Sequence, residues 1–245
     1  MTTFSIAWRE LRNLFLSPLA WCVLAVVQVI HAWIFLTRVD SFRGNPAGVE
    51  GVTDQVAAGL FSLASIVLLM IVPLLSMRLM SEERRSGSLT LLFSAPVRMS
   101  EIILGKYLGL MGFLGLMVLM LLAMPLSLAV GTHLDYGKLA SSTLGLLLLL
   151  GAFASAGLYM STLTRQPAVA AVASLGLLLF LWFINWLGQE SARFSEVLHY
   201  LSIVDHYSSF LRGGIDSVDI GYYLLFIGSF LILSIRRLDS ARLQA

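Results

Sequence analysis

The sequence is short of charge. Only 12% of its 245 residues are Asp, Glu, Lys or Arg, about half the share carried by a soluble domain. Hydrophobic residues make up 58%, and the mean hydropathy is +0.87. A soluble globular domain is thereby excluded. The apolar runs are long enough for membrane-spanning helices, which also argues against barrel strands. The single cysteine, Cys22, lies in such a run, so no internal disulfide can form. No G-x-x-x-x-G-K-[ST] loop occurs: Gly105-Lys106 is followed by Tyr107, and Ser100 stands where the loop needs its first glycine. The chain therefore does not bind ATP through a P-loop. It lacks the H-E-x-x-H pair of a membrane zinc protease, the G-x-S-G of a serine protease and any visible nucleophile–base pair. On this reading it has no catalytic residues and is not itself an enzyme. The four histidines form no Cys/His cluster, so no metal is expected. His199 and His206 lie seven apart and could share a helix face, but they lack further ligands and read as packed or interfacial side chains. Nothing marks a nucleic-acid partner.

Ionisable groups are also scarce inside the apolar runs. Lys106 and Asp219 lie near run ends, where a charged head can reach water. Gln28, His31 and Asn185 are the only notable polar side chains deeper in. Ion-coupled transporters need buried carboxylate or histidine relays. If this chain transports, its energy comes from outside it. Gln28 and Asn185 read first as hydrogen-bonding groups between helices and second as candidate substrate-pathway residues.

What the chain has is six apolar runs, at residues 19–36, 57–77, 102–130, 139–163, 168–188 and 218–235. They are expected to be transmembrane helices of one domain spanning residues 1–245. Phe4, Trp8, Leu11 and Phe15 recur at helical spacing with Arg9, Arg12 and Asn13 off that stripe, which predicts an amphipathic helix over 3–15 lying in the headgroup plane. Ser17-Pro18 then opens the first span. Its length and the missing cleavage site argue against a signal peptide. Gly105-x-x-x-Gly109, Gly151-x-x-x-Ser155 and Gly157-x-x-x-Ser161 are small-residue pairs that let helices approach closely.

Six spans place both termini on one side. Arg9, Arg12, Arg78, Arg84, Arg85, Arg98, Lys106, Arg165, Arg236, Arg237 and Arg242 fall on that side, against Arg38, Arg43, Lys138, Arg193 and Arg212 on the other. The positive-inside rule makes the richer side, and both termini, cytoplasmic. The largest outer connection, 189–217, is expected to hold two short helices, the second capped by Asp205 over Tyr207–Leu211 and closed by Gly213-Gly214.

Between the second and third runs lies a polar segment, Ser81-Glu-Glu-Arg-Arg-Ser-Gly-Ser-Leu-Thr-Leu-Leu-Phe-Ser-Ala-Pro96. Ser81 is expected to cap a short cytoplasmic helix, with Glu82 and Glu83 at its positive end and a further cap at Ser100-Glu101. Leu89, Leu92 and Phe93 form a compact apolar end, rimmed by Glu82, Glu83, Arg84 and Arg85. The segment reads either as a solvated loop helix whose charges set topology or as an element that docks in a partner's groove.

The run Glu82-Glu-Arg-Arg-Ser-Gly-Ser-Leu-Thr-Leu-Leu-Phe-Ser-Ala-Pro-Val, followed by Glu101-Ile-Ile-Leu-Gly-Lys-Tyr, resembles the segment between the second and third spans of ABC-2 type transporter permeases. Thr90 stands where that family often has Glu. Within the family it looks most like the branch of gliding-motility-associated permeases and the permease of nitrous-oxide-reductase maturation. Trp8-Arg-Glu-Leu-Arg-Asn-Leu-Phe-Leu-Ser-Pro-Leu-Ala resembles the family's amphipathic first helix. Ser161-Thr-Leu-Thr-Arg-Gln resembles its fourth-to-fifth connection, and His206-Tyr-Ser-Ser-Phe-Leu-Arg-Gly-Gly-Ile-Asp216 the element before its last span.

The resemblance implies an all-α inner-membrane protein of six spans that pairs with a second copy or a paralogue. A separate ATP-binding subunit, carrying ATP and Mg, would receive the 81–96 segment as a coupling helix, with Trp8, Arg9 and Arg12 of the first helix nearby. An auxiliary extracytoplasmic subunit is a further implied partner. The implied function is export of a substrate. A second reading is a membrane scaffold or mechanotransmission subunit of an ATPase complex that moves no solute.

Overall fold

The computed structural model describes residues 2–44, 51–87, 98–188 and 200–242. Among them every regular element is helical: α1 (Thr2–Leu16), α2 (Pro18–Gly44), a π-helical turn (Thr53–Ala58), α3 (Gly59–Ser76), α4 (Arg78–Ser86), α5 (Met99–Leu126), α6 (Tyr136–Leu163), α7 (Pro167–Gly188), α8 (Ile203–Leu211) and α9 (Ser217–Arg242). Six helices are long and apolar enough to cross a bilayer. Each overlaps one of the six runs read from the sequence and most extend beyond it, though the run 102–130 outlasts α5, which ends at Leu126. The last is the clearest case, because the run 218–235 sits within the longer helix Ser217–Arg242.

The helices are arranged around α6. Its most apolar stretch is 72% buried, against 17% in α9. It packs against α3, α5, α7, α8 and α9. The reason is its small side chains. Gly145, Gly151, Ala152, Ala154, Ser155, Ala156 and Gly157 lie in its buried body. Water-driven association is absent between spans in lipid, so close backbone approach supplies the attraction. A methyl group on Gly157 would collide with the Ser76 side chain, and one on Gly145 would sit 2.5 Å from Phe210 Cβ. The outward faces of the surrounding spans carry large exposed apolar side chains, among them Trp33, Leu119, Val172 and Leu225.

On the N-terminal helix the expected stripe is partly packed and partly exposed. Leu11 and Phe15 pack inward, but Phe4 and Trp8 are exposed. The buried edge is Ile6, Ala7, Glu10, Leu11 and Leu14, laid along α5. Gly105 and Gly109 of α5 make the room: a Cβ there would lie 2.6 Å from Ile6 Cγ2 and 2.8 Å from Glu10 Cβ. The helix is thus selected by a groove of glycines as well as by its own amphipathicity.

Three expected caps differ from what forms. Ser81 is not a cap, because the helix around it begins at Arg78, and the Ser81 hydroxyl donates back to Met77 O. The second span simply continues outward with a break only at Met77. Ser100 lies inside α5, which starts two residues earlier than expected: Arg98 is the N-cap, and Glu101 Oε2 accepts from Arg98 N at 3.1 Å. Ser202, not Asp205, caps α8, its hydroxyl accepting from Asp205 N at 3.4 Å. A serine one turn upstream serves better because the cap side chain must reach the third N–H of the helix. Gly213, at φ +88, does close α8.

The central-glycine account is checked by substitution. Gly157→Ala is expected to cost about 1–3 kcal/mol by overpacking, read as a lower thermal midpoint in detergent. Gly115→Ala, where nothing lies within 4 Å, leaves the midpoint unchanged or slightly raised, and Ser76→Gly restores part of the Gly157→Ala loss.

Candidate functional site

The functional region is the end of the bundle where α3 runs on into α4. Pro73 lacks the N–H that would bond one turn back, and the helix is interrupted at Met77. Backbone angles at Met77 stay helical (φ −56°, ψ −32°). The π-turn, α3 and α4 therefore form one rod of 34 residues, Thr53–Ser86. At 1.5 Å per residue it is about 50 Å long, so about 20 Å projects beyond a hydrocarbon core of about 30 Å.

Two polar fixtures hold the projecting part. The first is Ser161, from the far end of α6. Its Oγ accepts from Met80 N and from Ser81 N, each at 3.0 Å, and donates to Met77 O at 2.8 Å. One hydroxyl thus occupies the groups around the interruption, where a junction between helical segments leaves backbone donors and acceptors to satisfy. The second is Lys106 of α5. Its ammonium donates to Glu10 Oε1 of α1 at 2.9 Å and to Glu83 Oε1 of α4 at 2.7 Å. Lys106 is only 2% exposed. A buried ammonium is tolerable only with such partners, so α1, α4 and α5 are held at one point. The ends of α1 and α2 are joined separately, Trp21 Nε1 donating to Phe15 O at 2.6 Å. Next to Lys106 lies a cavity of about 290 Å³ lined by Glu10, Asn13, Arg78, Glu82 and Glu83, with Leu75 and Leu79 as its apolar wall.

The residues expected at the site divide into groups. Glu83 turns inward to Lys106. Arg84 is half-buried, with Arg165 and Arg237 close enough to repel it. Glu82 and Arg85 are exposed on the outer side of the rod, and Trp8, Arg9 and Arg12 are exposed on α1. Leu89, Leu92 and Phe93 lie outside the described residues, as do His199 and the Asn185 side chain. Gln28 donates across to Met117 O of α5 at 3.2 Å, and its Oε1 is buried without a partner among the described residues, as are both ring nitrogens of His31 one turn on. Lys106 and Asp219, expected to reach toward water, are instead buried, Lys106 between two carboxylates and Asp219 against the His206 ring.

At the opposite end, His206 Nδ1 meets Asp219 Oδ1 at 2.7 Å, Nε2 meets Tyr200 O at 3.0 Å, and the ring stacks on Tyr222 with centroids 4.1 Å apart. Tyr207 and Tyr223 donate to Phe61 O and Ile203 O. His206 is a structural pin of α8 against α9. Burial also raises the Tyr207 hydroxyl well above its ordinary pKa, so it remains a donor at any physiological pH.

The sequence reading missed Glu10, Lys106 and Ser161 as site residues. A signal for Lys106 was present: a lone cation in a helix otherwise apolar from Ile102 to Phe113, with Tyr107 its only other polar side chain, calls for a carboxylate partner. Nothing local says which carboxylate.

The molecule is a six-span bundle whose second span continues as a rod, and a family model described as ABC-2 family transporter protein matches residues 4–237. The chain belongs to the ABC-2 transporter family. No curated protein matches it. Membership makes it a multi-pass membrane protein of the permease type, from a family that typically works with an ATP-binding subunit in a membrane complex. In this ABC-2 chain the rod, the N-terminal helix and α5 form one mechanical unit at one end of the bundle.

The asymmetry of the Lys106 fixture gives a test. Glu10→Gln with Glu83→Gln strands a buried ammonium, and is expected to lower stability by about 3–5 kcal/mol. Lys106→Met leaves two carboxylates that are partly exposed (13% and 24%) and can rehydrate, so its midpoint in detergent should fall less. The reverse order would refute the fixture. Ser161→Ala, which removes the acceptor of two buried N–H groups, is expected to cost about 1–3 kcal/mol.

Proposed function

We propose that this chain is the membrane-spanning permease subunit of an ATP-driven exporter in the cytoplasmic membrane, with both termini in the cytoplasm. The Arg78–Ser86 helix is the lever through which a separate ATP-binding subunit drives it. The observation that carries this reading is the double fixing of the rod. A displacement applied to a helix moves distant spans only if the helix neither bends nor slides. Ser161 stiffens the interruption at Met77, and Lys106 ties the rod to α1 and α5. A push on α4 is thereby delivered to α1, α5 and α6 together.

Glu82 and Arg85 are the exposed charges of the lever and the contacts offered to the ATP-binding subunit, with Leu89, Leu92 and Phe93 of the 81–96 segment as the expected apolar end and Trp8, Arg9 and Arg12 on its margin. ATP and Mg belong to that subunit, and this chain hydrolyses nothing. Two permease chains, identical or paralogous, stand over two ATP-binding chains, with an auxiliary extracytoplasmic subunit as a further partner. The gliding-motility and nitrous-oxide-reductase-maturation branch is the one its motifs resemble. Gln28, with its unpaired oxygen, and Asn185 are the candidate polar contacts of a substrate pathway. Few charges line the spans, which favours a lipid-like or other amphipathic cargo over a small inorganic ion.

Glu82→Lys with Arg85→Glu is expected to cut substrate export or ATPase coupling at least tenfold while the protein still inserts in the membrane. Normal transport together with normal co-purification of the ATP-binding subunit would defeat the lever reading. ATPase activity that no exported compound stimulates, in an otherwise coupled complex, would favour the scaffold reading instead.

A further inference from the structure

A second cleft, of about 970 Å³, opens between the rod and the start of α7. Its composition is unusual for a chain so poor in charge. Arg78, Arg84, Arg85 and Arg165 line it, against Glu82 as the single carboxylate. The rest of the lining is mostly apolar, including Leu74, Ala171 and Val172. Leu74 and Val172 are exposed, and so is Met70, one turn further along α3 from the arginines. The cleft therefore has a cationic end and an apolar wall that runs along the spans.

Arg84 is the key group. Its Nε and Nη2 are buried and have no hydrogen-bond partner among the described residues. Two more guanidiniums, Arg165 and Arg237, are close enough to oppose its charge. A fork of donors without an acceptor, held among like charges, is costly. A phosphate removes that cost because its oxygens match the guanidinium fork and neutralise several charges at once. Phosphate chemistry could come from a soluble ion or from a lipid headgroup. A soluble ion leaves the Leu74–Val172 wall wet. A phospholipid covers both parts, acyl chain on the wall and phosphate at the arginines. The excess of cations over Glu82 favours a headgroup with net negative charge over a zwitterionic one.

We infer that this cleft is a binding site for an anionic phospholipid, its phosphate held by Arg84 and Arg165 and an acyl chain lying against Leu74 and Val172. The inference goes beyond the permease reading and rests only on the six helices crossing a bilayer. Lipid held there touches both the rod and α7, so its occupancy sets how freely the rod moves against that span.

The test uses the full-length chain, purified alone in mild detergent so that no ATP-binding subunit takes part. Phosphatidylglycerol, phosphatidylcholine and inorganic phosphate are compared by native mass spectrometry and thermal midpoint. Wild type is expected to retain phosphatidylglycerol at least tenfold over phosphatidylcholine and to be stabilised by it, while inorganic phosphate gives no shift. Arg84→Gln with Arg165→Gln is expected to lose that preference. Without anionic lipid it should be at least as stable as wild type, because the repulsion is relieved. Arg43→Gln, on the other side of the bundle, should retain the preference. Val172→Trp alters the wall without touching charge, and should also reduce phosphatidylglycerol retention. It carries the test if the double variant fails to fold. Equal retention of the two lipids by wild type, unchanged preference in the variants, or a phosphate shift equal to that of the lipid would each overturn the proposal. In a separate pull-down with the ATP-binding subunit present, loss of that subunit's capture by Arg84→Gln with Arg165→Gln, with lipid retention by the isolated chain intact, would make the cleft a protein contact and the lipid assignment wrong. None of these outcomes depends on the Glu82 and Arg85 experiment, so either reading can fail alone.

Discussion

The ammonium of Lys106, buried between Glu10 and Glu83, is the constraint on which the rest of this end of the molecule depends. Its three residues come from three helices, α1, α4 and α5. Burial makes the interaction obligatory, since a cation with no water must keep its carboxylates. The position of α1 follows, because Glu10 can reach Lys106 only if α1 lies along Gly105 and Gly109. The position of α4 follows as well, because Glu83 fixes the face that the rod presents to α5. Glu82 and Arg85, one position before and two after Glu83 on the same helix, are then left on the outside.

The same logic recurs where the lipid solvent provides no hydrophobic drive between spans. Small residues on α6 allow approach, and single polar side chains then decide orientation. Ser161 reads the backbone of the rod at Met77, Ser141 donates to Phe210 O and Gly214 O at 3.0 and 3.1 Å, and His206 joins α8 to Asp219 on α9. Each is one to three hydrogen bonds, about 1 kcal/mol apiece. Their importance is specificity: they select one register among several that glycine-lined helices would tolerate. A transporter that must move as a unit needs that selection more than it needs raw stability. The arginine cleft beside the rod is the exception to this thrift, since its donors are not all spent within the chain.

Much of the fold was legible from the sequence. The six spans follow from run length and apolarity, which are local. Pro18 at the start of α2 and Gly213 after α8 follow from backbone chemistry that is also local. The small-residue pairs were read as points of close approach, and Gly105, Gly109, Gly151 and Gly157 are such points. Their partners were not legible: Ile6, Ala7, Glu10, Tyr107, Ile227 and Ser76 lie far away in the chain. The expected cap at Ser81 failed for an instructive reason. A serine before two glutamates looks like a helix start, but a residue already inside a helix can turn its hydroxyl onto the preceding turn, and nothing in Arg78-Leu-Met interrupts helix formation. Phe4 and Trp8 of the expected stripe are exposed, since periodicity identifies a face without saying what covers it.

The sequence by itself determined that this chain lives in a membrane, crosses it six times, binds no nucleotide through a P-loop and carries a charged segment between its second and third spans. These are properties of composition and of runs shorter than thirty residues. Only the tertiary structure decided that the charged segment is the continuation of a span, that Glu83 faces inward while Glu82 and Arg85 face out, and that Lys106 is the point holding them. Its carboxylates stand 96 and 23 positions away in the chain. Pairings at such separations are fixed by how helices pack, and packing is a property of surfaces that meet only in the folded molecule.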